Sequence, residues 1–189
     1  MISEKQKEVW KQKALDLEAE LIKYEKLPLY QGKVIPDEEA FFKYNFVREN
    51  KLDDSFKFNF ENKPELFIDF NEHIVGDFQF DVELVGKNVG GPLRLKIIFG
   101  EIPDELIEDI DSYSGSLSRA WHQAEIVTLE YLPQTVKFSR RFAFQYVKIL
   151  LESKSFDYEI EISEIKCLCT TSASHDLDDY VFKSLPQSH

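Results

Sequence analysis

Between Tyr113 and Gln123 the chain gathers side chains of the types that recognise a neutral sugar: Tyr113, Arg119, Trp121, His122 and Gln123. An aromatic ring can stack on the apolar face of a pyranose. Planar hydrogen-bonding groups such as Arg and Gln can then grip its hydroxyls in pairs. The same residues admit two other roles. Trp121 can anchor the segment in a core, or the segment can be a surface that contacts another domain.

A second cluster is acidic. Glu101, Asp104, Glu105, Glu108, Asp109 and Asp111 fall within the stretch 101–112, which has no basic residue. Hydrolysis of a glycosidic bond needs two carboxyl groups about 5–9.5 Å apart. With 35 acids in the chain such pairs arise cheaply, and a solvated acidic loop is the plainer reading. Calcium, a hard ion that takes 6–8 oxygen ligands, is the metal that Glu101, Asp109 and Asp111 would suit. The stretch lacks the D-x-D-x-D-G spacing of a dedicated calcium loop. A structural calcium is thus the single cofactor to test, and no organic cofactor is expected.

The remaining reactive types lack context. Cys167 and Cys169 lie two apart and would share one face of a strand. They read as small apolar residues, not as a disulfide or zinc site. Arg140 and Arg141 stand at a strand entrance, as solvated charges or in salt bridges to the acidic loop. His73 follows Asn71-Glu72 in what reads as a turn. Gly86, Gly90 and Gly91 lie between two strands, not before a helix, so they form no phosphate loop.

The elements that would position these groups are mostly strands. Phe78, Phe80, Val82 and Leu84 alternate with Gln79, Asp81 and Glu83, the period of a half-buried strand. Leu93, Leu95, Ile97 and Phe99 repeat the pattern, as do Phe56, Phe58 and Phe60. Further strands are expected at 41–47, 66–70, 124–132, 135–138 and 158–169. Residues 142–151 are apolar on both faces, with Phe142, Phe144 and Tyr146 opposite Ala143, Val147 and Ile149, which marks a central strand. In the last strand the phase changes after Ile162, so a bulge is expected near Ser163-Glu164. Residues 3–26 read as a helix capped by Ser3, with Val9, Trp10, Ala14, Leu17, Leu21 and Tyr24 as its apolar stripe and a docked position as its plainest role. A connector is expected over 29–39. The polar tail holds a possible helix start near Ser172.

Composition narrows the function classes. The net charge is −12 and 16 residues are Phe. An aromatic-rich chain of 189 residues folds into one domain, with an appendage at most. Its acidity disfavours nucleic acid and anionic membranes, which need clustered Lys and Arg. No run reaches the ~20 apolar residues of a membrane span. The first residues have no apolar core of a signal peptide.

One stretch also resembles a known family. Tyr113-Ser-Gly-Ser-Leu-Ser-Arg-Ala-Trp121-His-Gln, Leu132-Pro133 and Arg140-Arg141-Phe-Ala-Phe-Gln-Tyr146-Val-Lys-Ile149 resemble the β-sandwich region of bacterial α-L-rhamnosidases. Phe67-Ile-Asp-Phe70, Gly76 and Phe99-Gly-Glu101 add a weaker match. The resemblance implies an all-β, jelly-roll or galactose-binding-like sandwich of two antiparallel sheets, here with an N-terminal helix. The pattern of elements along the chain divides it into residues 1–40 as helix and connector, 41–169 as the sandwich and 170–189 as a tail, and the resemblance covers roughly Phe67 to Cys169. The resemblance also implies that the catalytic acids belong to a separate helical domain, so no catalytic residue is carried over. The expected partners are that helical domain or a rhamnose-containing glycan. A structural or protein-interaction sandwich without sugar binding is the alternative.

Overall fold

The computed structural model describes residues 3–16, 21–41, 43–61, 63–86, 92–107, 118–154 and 158–171. The turn expected at 86–91, apart from Gly86, and the helix start near Ser172 lie outside them. The chain divides into a larger compact unit, Glu25–Cys169, and a smaller one comprising Met1–Tyr24 and Thr170–His189.

Helix α1 spans Glu4–Asp16 and buries none of its residues. Ser3 caps it as expected. Its Oγ accepts from the Gln6 backbone N–H at 3.3 Å, and Gln6 Oε1 accepts from the Ser3 N–H at 3.0 Å. This reciprocal pair satisfies two orphan donors of the first turn. The helix is shorter than the apolar stripe suggests. Ile22–Lys26 is strand β1, so Tyr24 belongs to a strand. Lying beside another strand outweighed the local helical spacing there.

The other strands are β2 (Tyr30–Pro36), β3 (Tyr44–Lys51), β4 (Phe58–Asn59), β5 (Glu65–Val85), β6 (Leu93–Gly100), β7 (Gln123–Leu129), β8 (Gln134–Lys137), β9 (Phe142–Ser153) and β10 (Glu159–Thr171). The segment read as a connector is therefore strand β2, which pairs with β3 and β5. The expected strand at 41–47 starts later, at Tyr44.

The long strand β5 organises the fold. Its first leg, Glu65–Asp69, lies between β2 and β9. Its second leg pairs with β8 over Gln79–Val82 and with β10 over Gly76–Val85. One sheet therefore runs β3-β2-β5-β9-β6-β7, and the other is built on β8-β5-β10, with β1 and β4 beside β10. All the pairings with a defined register are antiparallel. The expectation of a two-sheet sandwich holds. The expectation of separate strands at 66–70 and 74–85 does not. Between Asp69 and Ile74 the strand β5 advances five residues while β9 moves two, from Tyr146 to Phe144. Asn71-Glu72-His73 is thus a bulge within one strand, not a turn between two. Asn71 sits at φ 64°, a left-handed conformation that Asn tolerates better than most residues.

Gly76 marks the handover between sheets, because it pairs with Phe142 of β9 and Cys169 of β10. A Cβ there would lie 2.4 Å from the Leu168 carbonyl oxygen and 2.6 Å from Cys167 Sγ. Only glycine lets the backbones approach so closely.

The inner faces meet in an aromatic core. Phe78, on the second leg of β5, packs on Phe70, Phe99 and Phe144 of the other sheet, with ring centroids at 6.4, 5.3 and 5.9 Å. Phe80, Val82, Ile160, Ile162 and Cys167 complete the buried face of the second sheet. The predicted register of β5 is confirmed. Strand β9 is central as expected, between β5 and β6. Its phase slips, however: Phe142 and Phe144 are buried, then Val147 and Ile149, so Tyr146 faces the opposite side from Phe144. The bulge expected near Ser163-Glu164 is present, with a register shift between Ser163 and Lys166 and Glu164 at φ 49°.

A smaller apolar cluster forms around Phe67, Ile98 and Leu106, with Phe46, Ala124 and Tyr146 against it. Leu106 comes from a short 3-10 turn, Pro103–Leu106, the helical turn expected in the acidic stretch.

Candidate functional site

The segment entering β7 carries the sugar-type residues. Arg119–Trp121 is a single 3-10 turn, whose Ser118 Oγ accepts from the Ala120 N–H at 3.3 Å. The Trp121 ring is 72% exposed, so it is not a core anchor. Arg119 is exposed and His122 half-buried. Gln123 is committed elsewhere. Its Nε2 donates to the Ala143 carbonyl at 2.9 Å, and its Oε1 accepts from the Ala143 N–H at 3.2 Å. The amide thus serves as a peptide-like link to β9, and both of its ends are occupied. Tyr113 lies outside the described residues.

Arg140 has a structural partner. Its Nε and a terminal nitrogen meet Glu125 Oε1 at 2.8 and 2.7 Å, and its guanidinium lies 4.6 Å from the Phe142 ring centre. Among the described residues, the salt bridge of Arg140 runs to Glu125 of strand β7.

The acidic stretch is partly described. Glu101 faces His73 Nε2 at 3.4 Å, and both side chains are about half exposed. Glu105 Oε2 accepts from the Glu101 N–H at 2.6 Å and so closes its own turn. Burial raises the Asp104 carboxyl above its ordinary value. Asp109 and Asp111 lie outside the described residues, so the calcium reading rests on Glu101 alone here. Among the described residues no group of three or more His, Cys, Asp or Glu is placed to hold a metal. Cys167 and Cys169 carry buried thiols, and no disulfide joins them. Burial, with Cys169 nearby, pushes the Cys167 thiol far up, which leaves it unreactive.

Sequence reasoning missed a buried polar centre. Asp69 is fully buried on β5, between Ile68 and Phe70. Its Oδ2 accepts from Arg48 Nε at 2.8 Å and from the Arg48 terminal nitrogen at 2.7 Å. Its Oδ1 accepts from the Asn71 N–H at 2.6 Å and from Gln145 Nε2 at 3.1 Å. Arg48 also donates to Asn71 Oδ1 at 2.6 Å and lies over the Tyr30 ring. Tyr146 stacks on Phe46, and burial, helped by the Asp69 charge, raises its hydroxyl above its ordinary value. The signal in the sequence was one acid in an otherwise apolar run, Leu66-Phe-Ile-Asp-Phe70. All four acceptor contacts are made within the fold, so this centre is structural.

Two hollows adjoin the segment Leu52–Phe56. The larger, about 570 Å³ and open to solvent, is lined by Leu27-Pro28-Leu29, by Leu52–Asp54 with Phe56, and by Glu164-Ile165 at the β10 bulge. The smaller, about 260 Å³, adjoins it, with Gln31, Asn50 and Lys51 on its far side. Leu52, Asp53 and Phe56 line both.

The two-sheet sandwich accords with the comparisons. The family model for the glycosyl hydrolase family 78 α-rhamnosidase N-terminal domain matches residues 28–169. The chain belongs to this family. A rhamnosidase from Klebsiella oxytoca, solved with rhamnose bound, superposes with a TM-score of 0.80 at 26% identity. The match covers 86% of this chain and 32% of that one. The family 78 N-terminal domain seen here thus spans about a third of the Klebsiella enzyme. No curated protein matches the chain. The family match begins at residue 28, so it takes in β2 but not α1.

Proposed function

We propose that this family 78 N-terminal domain is a non-catalytic module that buttresses a helical rhamnosidase domain through the Arg119–Trp121 turn. The observation that carries the reading is the 72% exposure of Trp121 at a turn that is otherwise internally hydrogen-bonded. Trp is enriched at protein interfaces, where its ring supplies a large contact area once a partner docks. Supporting it, the chain matches only 32% of the Klebsiella enzyme, whose remaining length supplies a surface to meet. Glu101 does not weaken this reading, because among the described residues its carboxylate faces His73.

The second reading makes the same turn a sugar platform, with Trp121 stacking and Arg119 or His122 hydrogen-bonding. Gln123 is held in place by its two bonds to Ala143, which leave one donor and one acceptor site of its amide for a ligand.

The test uses Trp121→Ala in the full chain. Its stability should stay within about 0.5 kcal/mol of wild type, as for other surface changes. The wild-type chain should associate with the helical portion of a family 78 rhamnosidase in analytical ultracentrifugation, and the variant should associate more weakly. Neither should hydrolyse an aryl α-L-rhamnoside above background. Glycan binding abolished by Trp121→Ala, with the fold intact, would favour the platform. Turnover lost on Glu101→Ala would overturn both readings.

A further inference from the structure

The two hollows around Phe56 have a lining that the docking role does not use. They form where three segments converge at the β10 edge opposite β5. Strand β4 covers that edge at Glu161 and Ile162, and β1 lies beside β10 as well. At the bulge the edge bends, and Glu164 takes its left-handed conformation. The larger hollow opens there, with Glu25 and Lys26 of β1 on its wall. At about 570 Å³ it is of the size that holds small ligands, within the usual range of about 300–1,000 Å³.

The lining selects the ligand class. Leu27, Pro28, Leu29, Leu52 and Ile165 give an apolar wall, and Phe56 is a half-buried ring shared by both hollows. The polar groups of the larger hollow are mainly acceptors. Glu25 is held by Lys166 at 2.8 Å, and Lys26 by Glu72 at 2.6 Å. Asp53 accepts from the Ser55 N–H and Oγ at 2.9 and 2.6 Å, which holds its carboxyl below its ordinary value. Asp54 and Glu164 form no hydrogen bond or ion pair with a described residue. A ligand must therefore bring donors. It need not bring full charge, because Lys57 and Lys166 already lie within electrostatic reach of Glu164. An anion is disfavoured in the larger hollow, where Lys26 is held by Glu72 and the wall carries Glu25, Asp53, Asp54 and Glu164, while Lys51 stands on the wall of the smaller one. Across Phe56 the smaller hollow offers two planar amides, Gln31 and Asn50, joined by one long contact of 3.4 Å. Planar amides and carboxylates suit paired hydroxyls.

We propose that these hollows form a binding site for two adjoining rings of a neutral oligosaccharide. Phe56 lies beneath their junction. Asp54 and Glu164 accept hydroxyl hydrogens from one ring, and Gln31 and Asn50 bind the other. The site is separate from the Trp121 turn, and it stands whether or not that turn docks a catalytic domain.

Titration of the full chain with rhamnobiose, cellobiose and digalacturonate, followed by amide chemical shifts, tests this. At least one neutral disaccharide should bind with a Kd below about 1 mM. It should shift the amides of Leu52–Phe56 and of Glu164-Ile165. Digalacturonate should bind at least about tenfold more weakly. Asp54→Asn with Glu164→Gln should weaken neutral-sugar binding about tenfold, and Phe56→Ala more. The conservative double variant keeps the test valid if Phe56→Ala fails to fold. Trp121→Ala should leave this binding unchanged. Three results would overturn the proposal: no neutral disaccharide bound at about 10 mM, unchanged affinity in the double variant, or tightest binding by digalacturonate. Loss of binding in Trp121→Ala alone would move the site to the other turn.

Discussion

Phe78→Ala should lower the stability of the domain by about 3–5 kcal/mol, at the upper end for a core aromatic. The reason is its place between the sheets. Phe78 is fully buried and lies on the second leg of β5, yet three of its ring neighbours belong to the other sheet. Phe80 and Phe138 pack on it within its own half, at 5.7 and 6.4 Å. Truncation removes the ring from the centre of this cluster. The stacked pair Phe99 and Phe142, with centroids 3.9 Å apart, cannot move into the space without losing its own contact. A cavity therefore persists, and its cost adds to the lost transfer energy. The midpoint of urea unfolding measures this, with the slope unchanged. A loss below about 1 kcal/mol would mean that the space collapses, and that the two sheets are not held together at Phe78.

The core was legible because its signal is simple. Phe78, Phe80 and Val82 alternate with polar residues, and so do Leu93, Leu95 and Ile97. Burial on one face leaves that pattern in any sequence. The bulge at Ser163-Glu164 was legible for the same reason, since a phase change in an alternating strand has few other causes. The continuity of β5 was not legible. Asn71-Glu72-His73 has the composition of a turn, and only pairing with β9 shows that the strand runs through it. Strand β2 was hidden by Gly32 and Pro36, which read as connector punctuation but lie within and at the end of the strand. Gly32 is needed because a Cβ would lie 2.1 Å from the Val47 carbonyl oxygen. The site was harder still. Trp121 has the same letter in a core and on a surface, and sequence spacing does not separate the two. The link from the Gln123 amide to a backbone twenty residues away, at Ala143, leaves no trace in the sequence. The hollows around Phe56 are assembled from three distant segments, so no local pattern announces them.

The second large effect concerns Asp69. Arg48→Met should cost about 3 kcal/mol, because it leaves a fully buried carboxylate without its cation. Asp69→Asn should cost about 2–3 kcal/mol. It keeps an acceptor for the Asn71 N–H, but its amide NH2 then faces the Arg48 donors, so both charge-assisted bonds to Arg48 are lost. The Arg48 side chain is 42% exposed and can turn to water when its partner is gone, so Asp69→Asn is the milder change. The double variant should lose no more than about the larger single cost, because each change removes the same interaction. Urea midpoints of the four proteins give this cycle. The unfolding should stay a single transition, because Asp69 and Asn71 fix the bulge by which β5 passes from one sheet to the other. Loosening that crossing weakens both sheets at once. Additive costs, or a second transition confined to one sheet, would show that the polar centre does not tie the halves together.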